Sequence, residues 1–143
     1  MLANKTDKDV TLLLVDDDDV DVMGIQRALK KLQITNPIVR ARDGIEGLAK
    51  LRECNAARRP YLVLLDLNLP RMNGLEVLAA IRKDPELSSA VVFVLTTSKA
   101  EEDKALAYKH NIAGYIIKSQ VGDGVMRAME MLHGYWRVVE LIA

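Results

Sequence analysis

Three stretches of the chain are apolar without a break: "LLLV" at 12–15, "YLVLL" at 61–65 and "VVFVL" at 91–95. A sheet with one wet face would alternate apolar and polar residues. Continuous runs of this length instead fit parallel strands covered on both faces. Shorter runs at 38–41 and 114–117 extend the series, and the pattern predicts strands at Val10–Val15, Ile38–Ala41, Tyr61–Leu65, Val91–Leu95 and Gly114–Ile117. Between and after them apolar residues recur at helical spacing, predicting helices at about 19–33, 44–54, 74–83, 99–110 and 121–141. Asp43 with Glu46, and Ser98 with Glu101, have the spacing of capping boxes, and "RMNG" and "KDP" read as turns.

Five βα units in succession predict an α/β fold: a doubly wound parallel sheet with right-handed crossovers and helices on both faces. The chain shows no repeats and no low-complexity linker. It reads as a single domain over 1–143, with a core at about 9–134, a helical extension at about 134–143 and no output domain. In such sheets ligands bind beyond the carboxyl ends of the strands.

Composition narrows the function classes. Twenty basic residues balance twenty acidic ones, so the chain has no net electrostatic footprint for nucleic acid or an anionic membrane. The opening "MLANKTDKDV" lacks the apolar segment of a signal peptide, and no apolar run approaches the roughly 18 residues of a membrane span. The expected location is cytoplasmic. Cys54 is the single cysteine, which excludes an internal disulfide and a thiolate zinc cluster. His110 and His133 have no acidic partner at ligand spacing and read as surface or helix-end residues.

Polar residues collect at the predicted strand ends. Asp16 and Asp17 follow the first strand, Asp66 the third, Thr96 ends the fourth, and Lys118 follows the fifth. The first of these sites belongs to an acidic run, "LLLVDDDDVD". Two carboxylates about 4 Å apart repel by about 4 kcal/mol at an effective dielectric near 20, so something must offset the crowding. A helix N-terminus, a bound cation and plain solvent are the candidates.

The ordered set resembles the receiver domain of two-component response regulators over nearly the whole chain. It comprises an acid pair after strand 1 and a lone Asp66 in a "D-x-N-x-P-x-M-x-G" pattern. Thr96 follows Asp66 by 30 residues, Tyr115 by 49 and Lys118 by 52. "VLTTS", "EED" and the apolar tail "YWRVVELI" look most like the stand-alone regulators paired with bacterial and cyanobacterial phytochrome kinases. The resemblance implies a flavodoxin-like (βα)5 sheet of strand order 2-1-3-4-5. It implies a signalling domain rather than a turnover enzyme, in which Asp66 accepts a phosphoryl group from a sensor histidine kinase. Asp17 and Asp66 would ligate Mg²⁺ directly, Asp16 would act through water, and Asn68 would offer its backbone carbonyl. Lys118 and the Thr96 hydroxyl would contact phosphoryl oxygens. Asp18 and Asp19 would then start the next helix, where its dipole favours negative charge; in a register shifted by one, Asp17 and Asp18 would be the pair.

A movement of Thr96 toward phosphate would open space for Tyr115 to rotate inward from an exposed position, altering the helix 4, strand 5 and helix 5 surface. One departure from the family is Ser119, where proline usually follows the lysine. A non-proline cis bond costs about 2.5–4 kcal/mol, so the Lys118–Ser119 bond is expected to be trans. The last helix carries two apolar stripes. Val125, Ala128, Met129, Leu132, Trp136 and Val139 suit the sheet; Met131, Tyr135, Val138 and Ile142, with Trp136 at the border, suit a homodimer contact. Two alternatives stay open: a degenerate receiver that binds partners without phosphorylation, and a haloacid-dehalogenase-type phosphatase. The latter wants a second acid where Asn68 stands.

Overall fold

The computed structural model describes residues 10–118 and 124–141. Strands β1 (Thr11–Val15), β2 (Ile38–Ala41), β3 (Tyr61–Leu65), β4 (Val92–Thr96) and β5 (Gly114–Ile117) alternate with helices α1 (Asp19–Lys31), α2 (Gly44–Ala56), α3 (Gly74–Lys83), α4 (Glu101–Lys109) and α5 (Gly124–Val138). The strands form one sheet in the order β2-β1-β3-β4-β5, and every pairing is parallel.

The unbroken apolar runs have a direct structural cause. Successive strand side chains point to opposite faces, and both faces are covered. Leu13, Val15, Val63, Leu65, Val92 and Val94 pack with Leu48, Leu51, Val77, Leu78 and Ile81 of α2 and α3. Leu12, Leu14, Leu62, Leu64, Phe93 and Leu95 pack with Val22, Ile25 and Leu29 of α1 and Met129, Leu132 and Trp136 of α5. A fully buried large side chain contributes about 1.5–3 kcal/mol, so the two layers together dominate the stability of the fold.

Element ends differ from expectation where polar groups act. β4 runs through Thr96, one residue later than predicted, because Thr96 pairs with Ile117. α1 stops at Lys31, two residues early, and Gln33 adopts a left-handed backbone with φ of 59°. The predicted Ser98/Glu101 capping box does not form. Ala100 is the N-cap of α4, and the Ser98 hydroxyl donates to Asp103 at 2.6 Å while accepting from the Ala100 N–H. At α2 only half of the Asp43/Glu46 box is present: Asp43 accepts from the Glu46 N–H, but Glu46 accepts from the Arg42 N–H. A complete box forms at Asn73/Glu76, starting α3.

Trp136, named both with the sheet-facing stripe and among the contact residues, is fully buried against the sheet, which removes it from the contact surface. Tyr135 is half-buried, its ring edge-on to Phe93 at 5.1 Å between centroids. Met131 and Val138 are exposed. The Lys118–Ser119 bond, the start of the last helix at 121–123 and Ile142 lie outside the described residues.

Candidate receiver site

Backbone pairing that continues past the strands builds the site. Asp16 N–H donates to Ala41 O, and Asp66 N–H donates to Val15 O at 2.9 Å. With Val15 opposite Leu65, these bonds hold Asp16 and Asp66 abreast at the carboxyl edge of β1 and β3. On the other side Lys118 N–H donates to Thr96 O at 2.7 Å, fixing the lysine one residue beyond β5. Gly74 lets the β3–α3 loop close tightly, since a Cβ there would fall 2.5 Å from Asp66 O and 2.6 Å from Leu67 Cα.

Three carboxylates meet at one ammonium. Lys118 Nζ lies 2.8 Å from Asp66 Oδ2, 3.0 Å from Asp16 Oδ2 and 2.6 Å from Asp21 Oδ2. The second Asp66 oxygen accepts from the Asn68 N–H at 3.0 Å. The Lys118 side chain is 11% exposed and Asp16 only 1%. Burial works against the charged ammonium, but hydrogen bonds to Asp21 and Asp66 and the fields of Asp66 and Asp16 outweigh it, holding the lysine pKa well above its usual range. Burial also pushes the Asp16 carboxyl up, opposed by the Asp18 N–H and by Lys118. Thr96 is completely buried, and its hydroxyl oxygen accepts from the Ser98 N–H at 3.3 Å.

Residues 12–130 match the family model described as the response regulator receiver domain. The chain belongs to this family. It is 33% identical over 138 residues to the response regulator Rcp1 of Synechocystis, covering 94% of each chain. The crystal structure of the phosphorylated cyanobacterial phytochrome response regulator RcpA superposes with a TM-score of 0.82 at 36% identity, covering 94% of this chain and 98% of that one. The Mn²⁺-bound form of Rcp1 gives a TM-score of 0.81 at 36% identity, covering 93% and 99%. Receivers of this kind are signalling modules of two-component systems that work with histidine kinases, not turnover enzymes. No helix among the described residues is long and apolar enough to cross a membrane.

Of the residues singled out in the sequence, Asp16, Asp66 and Lys118 come together, with Thr96 at the adjoining strand end. Asn68 reaches the Thr96 and Thr97 hydroxyls through long contacts of 3.5 and 3.4 Å from its side-chain amide. Asp17 does not join the lysine. It is exposed and lines a cavity of about 470 Å³ with Asn68, Asn73 and Asp103. Asp18 caps α1, accepting from the Val20 N–H at 2.9 Å, which argues against the register shifted by one. Asp19 is held by Arg40 and Arg42 at 2.7 and 3.0 Å. Tyr115 is half-buried rather than exposed, because its hydroxyl donates to Ser98 O at 2.9 Å.

Sequence reasoning missed Asp21. The signal was local: Asp21 directly precedes the buried Val22 and lies one helical turn before Ile25, which puts it beside the sheet-facing stripe of α1.

Proposed function

We propose that this receiver accepts a phosphoryl group from the phosphohistidine of a sensor kinase onto Asp66. The observation that carries the reading is the Asp66 carboxylate at the sheet edge, gripped by Lys118 Nζ at 2.8 Å beside Asp16 and the buried Thr96. An Asp66 oxygen forms the new bond to phosphorus as the phosphorus–nitrogen bond breaks, and the electron pair leaves on the imidazole. An anion thereby attacks an anionic group, so positive charge and donors must be in place beforehand. Lys118 supplies the fixed charge, and the Thr96 hydroxyl is the donor for a phosphoryl oxygen.

The donor set also suits a hard divalent cation. Carboxylate oxygens of Asp16, Asp21 and Asp66 lie within 4.8 Å of one another, and one lysine leaves the trio two charges negative. Asp16, Asp17 and Asp66, with the Asn68 carbonyl, are the residues that would hold Mg²⁺. Bound there, Mg²⁺ supplies further positive charge against the phosphoryl oxygens.

The reading extends to partners. Likeness to Rcp1 and RcpA supports a phytochrome-type kinase and with it a light signal. The balanced charge of the chain favours protein partners over nucleic acid, in a cytoplasmic setting. Phosphorylation would be read out on the α4, β5 and α5 surface through Thr96 and Tyr115. The exposed Met131 and Val138, with half-buried Tyr135, support a homodimer through α5.

Phosphate-affinity electrophoresis after incubation with acetyl phosphate tests the central step. A Mg²⁺-dependent shifted band in the wild type, absent in Asp66→Asn and with chelator, is the expected result. No band from acetyl phosphate or from a phosphorylated kinase domain would instead leave a phosphorylation-independent binding module.

A further inference from the structure

Lys118 makes its shortest contact not with the acceptor aspartate but with Asp21, at 2.6 Å. Asp21 is also the one member of the cluster that no strand end delivers. Asp16, Asp66 and Lys118 each follow a strand, whereas Asp21 comes from the first turn of α1, 97 residues from the lysine. The Asp21 side chain is 32% exposed, against 1% for Asp16 and 6% for Asp66.

Resting on the reading of Asp66 as phosphoacceptor, we propose that Asp21 is a positioning residue for phosphoryl transfer. From α1 it holds the Lys118 ammonium against Asp66. A lysine side chain is a flexible four-carbon stem with three donors and no intrinsic aim. Among the described residues, the backbone bond from Lys118 N–H to Thr96 O fixes its root. Lys118 Nζ donates to Asp21 and Asp66 and forms an ion pair with Asp16 at 3.0 Å, so carboxylates from β1, β3 and α1 converge on one ammonium. When Asp66 becomes an acyl phosphate its carboxylate oxygen is consumed, and Asp16 is among the residues assigned to the cation. Asp21 is not the acceptor and is not among the residues named to hold Mg²⁺, although its carboxylate lies within 4.8 Å of the Asp16 and Asp66 oxygens. It is the acceptor that can keep the ammonium in place before and after transfer.

The test has two independent readings on wild type, Asp21→Ala, Asp21→Asn and Asp21→Glu. The first is the NMR signal of the Lys118 ammonium in unphosphorylated protein, assigned with Lys118→Arg. The second is the rate of phosphorylation by acetyl phosphate. Asp21→Ala should lose the slowly exchanging ammonium signal and phosphorylate about tenfold more slowly, the effect of losing one charge-assisted hydrogen bond. Asp21→Asn keeps an acceptor oxygen and should fall between, and Asp21→Glu should recover part of both readings. Asp21→Asn also guards against a folding defect in the alanine variant.

An unchanged ammonium signal in Asp21→Ala overturns the role whatever the rate does. So does a rate equal to or faster than wild type. If wild type takes no phosphate while Asp21→Ala still loses the ammonium signal, the phosphoacceptor reading has failed and the hold on Lys118 stands.

Discussion

Replacing Lys118 with methionine should convert the site from a neutralising cluster into a repulsive one. The side chain keeps most of its length and loses only its charge and donors. Carboxylate oxygens of Asp16, Asp21 and Asp66 then remain within 4.8 Å of one another without a cation. At that separation and an effective dielectric near 20, each charged pair repels by about 3.5 kcal/mol. Asp21 is a third open to water, which screens its share. The buried Asp16–Asp66 pair therefore decides the cost, and removing one partner of a buried ion pair typically costs about 3–5 kcal/mol. Partial protonation relieves some of this, so we expect a loss of about 3 kcal/mol at pH 7, or roughly 6–12 °C in Tm for a domain of this size.

The pH dependence gives the sharper test. Burial already raises the Asp16 pKa, while the charge and hydrogen bond of Lys118 oppose it. Without the lysine the folded-state value rises further. A carboxyl whose folded pKa exceeds its unfolded one binds its proton more tightly when folded. The variant therefore gains stability as pH falls through that folded value and is weakest above it. Urea unfolding in chelator at pH 5, 6, 7 and 8 should show a deficit that shrinks toward pH 5, and added Mg²⁺ should stabilise the variant more than the wild type. A variant as stable as wild type at pH 7, or one whose deficit is the same at pH 5, would show that these carboxylates are not coupled through Lys118.

Gly74→Ala should destabilise by about 2 kcal/mol or more and slow phosphorylation, because its Cβ would meet Asp66 O at 2.5 Å; denaturant unfolding and the phosphate-affinity gel read the two effects. Trp136→Ala should cost about 3–5 kcal/mol, the usual penalty for a fully buried aromatic, measured by thermal unfolding. Val138→Glu places a charge at a position that is 83% exposed; it should leave folding unchanged while abolishing the proposed dimer in analytical ultracentrifugation.

The sheet was legible because two-sided burial removes polar residues from strand interiors, and "LLLV" and "YLVLL" carry that mark without any partner being known. What escaped depended on which of two polar contacts wins. Ser98 and Glu101 have the spacing of a cap, but the Ser98 hydroxyl donates to Asp103, two residues further along, and the cap is lost. The apolar run stops at Leu95, yet β4 continues one residue further because the Thr96 backbone still pairs with Ile117. Trp136 could be drawn on either face of the last helix; its place four residues after Leu132 sends it inward with that residue. The Asp21–Lys118 pair escaped for another reason: local spacing puts Asp21 beside the buried stripe of α1 but does not name a partner 97 residues away.

The acidic run itself leads to a last expectation, about Asp17. Five of the six residues from 16 to 21 are aspartates, and four have a compensating group. Asp16 and Asp21 share Lys118, Asp18 caps α1, and Asp19 is held by Arg40 and Arg42. The Asp17 carboxylate has no hydrogen bond or ion pair among the described residues and opens on the cavity beside Asn68. Its charge is thus the one the fold leaves for solution to neutralise, at the mouth of the site. Asp17→Asn should then leave metal-free stability within about 0.5 kcal/mol of wild type, since no internal contact is lost. Its Mg²⁺ affinity should fall nonetheless, as read by calorimetric titration. Asp16→Asn would behave differently, because it also removes a partner of the buried lysine and changes stability without any metal. Equal Mg²⁺ affinity in Asp17→Asn and wild type would mean that the buried Asp16 and Asp66 hold the cation without it and that the exposed aspartate is only a solvated charge.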